Sequence, residues 1–203
     1  MDETVLKDEA MKTSARCQWA GTDQIYIDYH DTEWGVPIYD SRALFEKLML
    51  EGFQAGLSWI MILKRRENFR TAFAGFDPYV LCNWGQKDVE RLLHNVDIIR
   101  HRRKIEATLS NAKAWREIEK DIGFTNFLWD YVNSRPIINS WKHFSEVPSQ
   151  TPLSCQISKD LKKAGFKFCG PTTVYAFLQA AGFINDHLVD CPFKHKNLVY
   201  KDR

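Results

Sequence analysis

His187 and Cys191 stand four residues apart in FINDHLVDCP, residues 183–192, with Pro192 directly behind. Imidazole and thiolate ligate metals, and on a helix this spacing would place both on one face. Near the other end of the chain Cys17, in RCQW, and His30, in YHD, supply a second pair. Two cysteines and two histidines make a closed tetrahedral set for zinc, with no coordination position left for water or substrate. A zinc ion held this way would be structural, closing a very long loop and fastening both ends of the chain. The order Cys, His, His, Cys is unlike a zinc finger, and spacing alone is more often met by packed thiols and imidazoles. His94, His101, His143 and His195 have no evident partner, and Cys82, Cys155 and Cys169 read as small apolar residues.

A second anomaly is Glu51. The apolar stripe that contains it runs Leu44, Leu48, Glu51, Ala55, so a carboxylate falls on the face that should be buried. Burial without a partner is costly, so such a group pairs, protonates or lines a cleft. GFQAGLSW follows at 52–59, with Gly56 interrupting the helix and Leu57 and Trp59 flanking Ser58. An acid beside exposed aromatic and aliphatic groups suits a pocket for a flat aromatic ligand; a helix-end Glu bonded to backbone amides is the plainer alternative. Upstream, IYIDYHDTEWG carries Tyr26, Tyr29 and His30 at helical spacing, with Trp19 and Trp34 on either side. Rings near an acid are what a base-binding pocket needs, because they stack on bases and attract cations. They are equally what an ordinary core uses.

A third candidate is the stretch 158–182, SKDLKKAGFKFCGPTTVYAFLQAAG. It reads as helix, glycine-bounded turn, helix, and turn amides followed by a helix N-terminus can hold a phosphate. It resembles a helix–hairpin–helix DNA anchor, which would put Lys167, Gly170 and Thr172 at a DNA backbone; a plain helical hairpin in a bundle is the commoner alternative. Phe168-Cys169-Gly170 lacks the first glycine of a Gly-apolar-Gly hairpin, and RHRRK at 100–104 competes for the same role.

These residues must be positioned by helices, because the periodicity is helical almost throughout. Leu44, Phe45, Leu48 and Met49 follow an Asp40 or Ser41 cap and define a helix over 41–53. Further stripes are Trp59, Ile62, Leu63, Phe69 and Phe73; Val89, Leu92, Leu93 and Val96; and Ile105, Leu109, Ala112, Trp115 and Ile118. Ser154 would cap a helix stopping at Gly165, and Pro171 would open one ending at Gly182. No period-two alternation stands out. The class is all-α, with about eight to ten helices. Residues 134–152, with three prolines, read as a long connection. Residues 1–16 form a polar leader, 17–193 one domain and 194–203 a basic tail.

Composition narrows the partners. Of 203 residues 44% are apolar and 13% aromatic, which excludes a disordered chain. No apolar run is longer than Trp59 to Leu63, too short for a membrane. No signal peptide opens the chain, and five scattered cysteines point to a reducing compartment, taken as the cytoplasm. The net charge of +2 is mild, but Lys64-Arg65-Arg66, Arg100 to Lys104, and Lys159, Lys162, Lys163 and Lys167 are clumped. Each clump also reads as an ordinary solvated helix face.

Taken together, RCQWAGTDQIYIDYHDTEWGVP, FEKLMLEGFQAGLSWIMILKRRENFR, IIRHRRKIEATLSNA and LKKAGFKFCGPTTVYAFLQAAGFINDHLVDC closely resemble the 3-methyladenine DNA glycosylase I family. That family is a branch of the helix–hairpin–helix glycosylase superfamily, and the resemblance spans about residues 16–192. It implies an all-helical fold of two lobes with a cleft, and one structural zinc on Cys17, His30, His187 and Cys191 joining the termini. It implies that Glu51 bonds an extruded methylated adenine and, with Tyr29, forms the catalytic pair. Trp59 would stack on the base, Tyr26, Trp19 and Trp34 would shape the pocket, and Leu57 would wedge into the vacated duplex. The partner would be double-stranded alkylated DNA and the protein a monomer. Phe53 stands where many relatives carry a polar residue, a leader precedes Cys17, and the superfamily's usual aspartate after the hairpin is missing.

N3-methylation makes adenine a cation and weakens its bond to deoxyribose, so recognition, not strong acid catalysis, is the difficulty. No lysine in the pocket segments suggests a Schiff base, so release without strand cleavage is expected. The competing classes are a catalytically silent, zinc-containing sensor of alkylated DNA and a zinc-dependent hydrolase. Glu51 and Trp59 weigh against the first and a filled four-ligand site against the second.

Overall fold

Several helices here begin where a polar side chain satisfies one of their first amides. The computed structural model describes residues 16–195, among which there are ten α-helices, several 3₁₀ turns and one short parallel strand pair. Helix α1 (Gln24–Thr32) starts at Asp23, whose carboxylate accepts from the Ile25 N–H. Helix α2 (Ser41–Gln54) starts at Asp40, which accepts from the Ala43 N–H at 2.8 Å, the cap the sequence offers. Helices α3 (Trp59–Leu63), α4 (Arg66–Ala72), α5 (Pro78–Leu81), α6 (Gln86–His94), α7 (Arg102–Asp121) and α8 (Phe124–Trp129) follow. Helices α9 (Pro152–Lys163) and α10 (Pro171–Ala180) form the hairpin.

Several sequence expectations need correction. The stripe from Trp59 to Phe73 is split, because the Lys64 and Arg65 amides both turn back to earlier carbonyls and end α3. Helix α6 stops at His94: Asn95 is extended, its side chain caps the Asp97 amide, and Val96 is 69% exposed instead of buried. Helix α9 begins earlier than a Ser154 cap would place it. Thr151 is the cap, and Thr151 and Ser154 exchange amide-to-hydroxyl bonds at 2.9 and 3.2 Å. His101, expected to lack a partner, caps α7 by accepting from the Lys104 N–H.

The stretch 183–192 is not helical. Strand β2 (Ile184–Asn185) pairs in parallel with β1 (Ile137–Ile138), and a turn closed by the Cys191 N–H on the Leu188 carbonyl follows. Both strands are two residues long, too short to leave an alternating pattern. The pairing draws the 134–152 connection against the C-terminal segment. Gly182 permits a related crossing. With φ of +72° its missing Cβ would lie 2.3 Å from Val36 and Pro37, where residues 35–38 cross the end of α10. The Gly35 and Ile38 amides bond there to Gln179 and Ala181.

The main core gathers α2, α7 and α10 around Phe45, Trp115, Trp129 and Phe177. A smaller apolar cluster holds Cys17, Tyr29, Trp34, Leu63, Ala180 and Cys191, and Trp59 packs against both. The expected leader and tail lie outside the described residues except at their inner ends. Arg16 pairs with Asp31 at 2.9 Å, and the buried Lys194 ammonium donates to the Asn139 and His187 carbonyls. No helix among the described residues is long and apolar enough to cross a membrane.

Candidate functional site

Helix α1 brings His30 inward and the turn after β2 brings His187 and Cys191 to meet it, with Cys17 arriving from the N-terminal side. All four side chains are buried, and their ligand atoms lie within 4.8 Å of one another. The sulfur–nitrogen separations are 3.7 Å for Cys17–His187, 3.4 Å for Cys191–His187 and 3.6 Å for Cys191–His30. A tetrahedral ion with bonds of about 2.3 Å to sulfur and about 2.0 Å to nitrogen needs such edges of about 3.5 Å. The outer nitrogens are also committed. His30 Nδ1 meets Asp31 at 2.7 Å, and His187 Nε2 lies 3.1 Å from the Trp34 carbonyl, which leaves Nε2 of His30 and Nδ1 of His187 pointing inward. The residues therefore fit a four-coordinate metal ion.

Beside this cluster opens a cleft of about 420 Å³. Tyr26 and Tyr29 line it from α1, Glu51 and Gln54 from the end of α2, and Trp59 from the start of α3. Thr172, Tyr175 and Gln179 of α10 form another wall, and Phe144, Val147, Pro148 and Ser149 a third. Trp19 and Trp34 close the aromatic side, their rings 4.9 Å apart, and Trp34 in turn packs edge-on to His187 at 4.6 Å.

Glu51 is 4% exposed, and among the described residues no hydrogen bond reaches its carboxyl group. Burial pushes it up to about 8, against a smaller lowering by Lys47 one helical turn earlier. Burial, and then the nearby Glu51, raise the Tyr26 and Tyr29 phenols. The Trp59 ring lies 5.4 Å from Tyr29, and its buried indole N–H has no partner. A carboxyl group without a hydrogen bond thus borders a cleft walled by rings, one of them Trp59.

The methyladenine glycosylase family model matches residues 19–195. The chain belongs to this family. It is 50% identical over 182 residues to DNA-3-methyladenine glycosylase of Haemophilus influenzae, covering 89% of this chain and 98% of that one. It is 50% identical over 177 residues to DNA-3-methyladenine glycosylase 1 of Escherichia coli, covering 87% and 95%. Among solved structures it is similar to a variant of 3-methyladenine DNA glycosylase I in complex with 3-methyladenine. There the TM-score is 0.87 at 43% identity, over 90% of this chain and 98% of that one.

The methyladenine glycosylase cleft brings together most of the residues expected at the base: Glu51, Trp59, Tyr26, Tyr29, Trp19 and Trp34. Leu57 stands outside the lining, on the turn where Gly56 takes φ of +83° and Gln54 bonds both ways with the Leu57 backbone. Phe53 does not flank the cleft. It is buried against Phe69, with ring centroids 4.7 Å apart, so its apolar character belongs to the core. In the hairpin turn Phe168 adopts φ of +54°, the left-handed backbone that the absent glycine would supply. Exposed Thr172 lines the cleft, and the Lys167 backbone is tied to Asn111 through two bonds. Within RHRRK, Lys104 turns inward and donates to the Phe53 and Ala55 carbonyls at 2.8 and 2.6 Å, so it cannot serve a phosphate. Its neighbour Arg102 pairs with Glu90.

The sequence reading missed the 144–149 wall, Tyr175 and Gln179, and the scaffold role of the buried Asp186 that fixes the last two. Asp186 accepts from Tyr175, Gln179, Asn139 and Trp141. Tyr175 and Gln179 carried a signal, since they lie four apart on a face that would otherwise be apolar. The wall carried none, because it is a short 3₁₀ turn and irregular chain without a periodic pattern, packed on the core through Val147.

Proposed function

We propose that this protein excises 3-methyladenine from alkylated double-stranded DNA and leaves the strand intact. The observation that carries the reading is Glu51: a buried carboxyl without a hydrogen bond, aimed at an aromatic cleft in a chain of the methyladenine glycosylase family. A cationic purine supplies what that group lacks. Glu51 accepts hydrogen bonds from the base edge, and its negative charge favours the methylated cation over neutral adenine. Trp59 stacks on the base and adds cation–π attraction, and Tyr29 bounds the reacting side. Tyr26, Trp19 and Trp34 shape the aromatic wall.

Extrusion costs a few kcal/mol, less for a damaged base. Leu57, on its glycine-bounded turn, offsets part of this by filling the gap in the duplex. The hairpin residues Lys167, Gly170 and Thr172 contact the phosphates. The bond from N9 to C1′ breaks with its electron pair passing to the base, which leaves as neutral 3-methyladenine. Water adds to C1′ of the oxocarbenium-like sugar and loses a proton. No lysine lines the cleft among the described residues, which supports hydrolysis over a Schiff-base route. Asp186 already accepts from four donors, which makes it a scaffold and not the water's base.

Zinc on Cys17, His30, His187 and Cys191 acts as a structural ion bracing α1, and the protein works as a monomer in the cytoplasm. Purified protein incubated with methylated duplex DNA should liberate free 3-methyladenine, identified by chromatography and mass, with abasic but uncut strands. DNA binding without any released base would instead support a silent sensor and overturn the proposal.

A further inference from the structure

Lys47 is a buried lysine outside the cleft lining. It is 7% exposed and occupies the face of α2 that also carries Leu44, Leu48 and Glu51. Burying an ammonium is costly without anions beside it. Two are present: Glu33, just beyond α1, at 3.6 Å, and Glu51, one turn further along α2. Its ammonium also lies over the ring faces of Tyr29, at 5.1 Å, and Trp59, at 6.0 Å, although Lys47 does not line the cleft. The position is fixed from the far side, where Arg66 of α4 holds Glu33 through bonds of 2.5 and 2.8 Å.

We propose that Lys47 is a positioning residue for recognition. Its ammonium, anchored by the Glu33–Arg66 pair behind the cleft rings, opposes the protonation that burial favours at Glu51 and so favours the anion that a cationic base recognises. The inference rests on the proposed function for its meaning and extends it to a residue outside the cleft.

The charge arithmetic favours this arrangement. Burial lowers Lys47, and Glu33 and then Glu51 work against that lowering; with both cations charged and Glu51 ionised, Lys47, Arg66, Glu33 and Glu51 sum to zero, whereas with Glu51 protonated one positive charge stays uncompensated in a buried site. A cationic base would meet the second state unfavourably. Because Lys47 shares Glu33 with Arg66, its own repulsion of the base is muted. Lys47 is the group that offsets Glu51's desolvation, and Glu33 lies below the usual range because Arg66 and Lys47 outweigh its burial.

The other groups around the pair are accounted for. Tyr26 and Tyr29 face Glu51 from α1 as neutral phenols. Tyr175 of α10 directs its hydroxyl to Asp186, and Lys104 of α7 is held on backbone carbonyls. The uncharged Trp59 is α3's contribution to the cleft, and α8 packs on α2 through apolar residues. Glu46, on the Lys47 side, is paired with Arg70 at 2.7 Å.

The test follows the Glu51 carboxyl by carbon-13 NMR across pH, alongside the pH profile of base release. In Lys47→Met the Glu51 titration should move to higher pH, and release on the acidic limb should fall about tenfold while the alkaline plateau persists. Lys47→Arg should restore the original midpoint. Glu33→Gln should act oppositely, freeing Lys47 for Glu51 and moving the titration to lower pH. This variant decides the matter if the Met variant fails to fold. Unmoved titrations, or a release profile reduced equally at every pH, would overturn the role of Lys47. If the wild-type protein released no base, the proposed function would fall while the carboxyl titration still judged Lys47.

Discussion

The metal cluster and the cleft adjoin each other, share Trp34, and are finished to different degrees. In the cluster every group has a counterpart: four ligand atoms face one point, and each imidazole's outer nitrogen is held by Asp31 or a carbonyl. In the cleft the two most telling groups are left short, the Glu51 carboxyl without a hydrogen bond and the Trp59 indole N–H without an acceptor. Buried carboxyl groups are nearly always hydrogen-bonded, so one without such a bond that lines a cleft is a candidate for contact with a ligand. On the proposed function, the cluster supports and the cleft recognises. The distinction lies in satisfaction, since both regions are buried and rich in aromatic rings.

The largest effect should come from breaking the finished region. Metal analysis should find one zinc per chain. Cys191→Ala should lose it and lower stability by about 4 kcal/mol or more, measured by thermal or denaturant unfolding, because site binding and folding are coupled. Retention of full stability would show that the cluster closes by packing alone. Base release by any folded fraction should survive, which separates support from chemistry.

The unfinished region should show itself in pH dependence. The folded-state value for Glu51 is about 8 against an ordinary 4.5, so the folded state holds that proton more tightly. Its stabilising contribution is full below pH 4.5 and is lost as pH rises through 8. The loss is on the order of a few kcal/mol. Glu51→Gln should remove this slope and make the protein more stable in alkali. An unchanged slope in urea unfolding across that range would mean that the carboxyl is solvated.

How legible these regions were in the sequence differs in kind. The four side chains that cluster could be named because residue type limits the candidates, yet the helix invoked to align His187 with Cys191 does not exist. A strand end and a turn perform that task, and β-pairing over two residues leaves no periodic trace. Glu51 was legible because a charge on an apolar stripe contradicts its surroundings. Lys47 lies on the same stripe and was overlooked, since a lysine's long stem is readily assumed to reach solvent. The Asp40 cap and the Pro171 start were readable from local chemistry. The 144–149 wall was not, because it is placed by contacts distant in sequence.

Two smaller effects sharpen the comparison. Trp59→Ala should weaken capture of alkylated DNA by about tenfold to a hundredfold, from losing about 1–3 kcal/mol of stacking, seen chiefly in KM or single-turnover binding. Leu57→Ala should slow release from duplex DNA several-fold and leave release from single strands unaffected, because only the duplex needs its gap filled. Equal losses on both substrates would place Leu57 in the fold and not in extrusion.

The most direct test compares Glu51→Gln with the wild-type protein, measuring free 3-methyladenine released from methylated duplex DNA at equal concentrations of folded protein. The account predicts a fall of about a hundredfold or more in release, with unfolding stability equal to or above wild type. Release at the wild-type rate by a folded Glu51→Gln protein would contradict it.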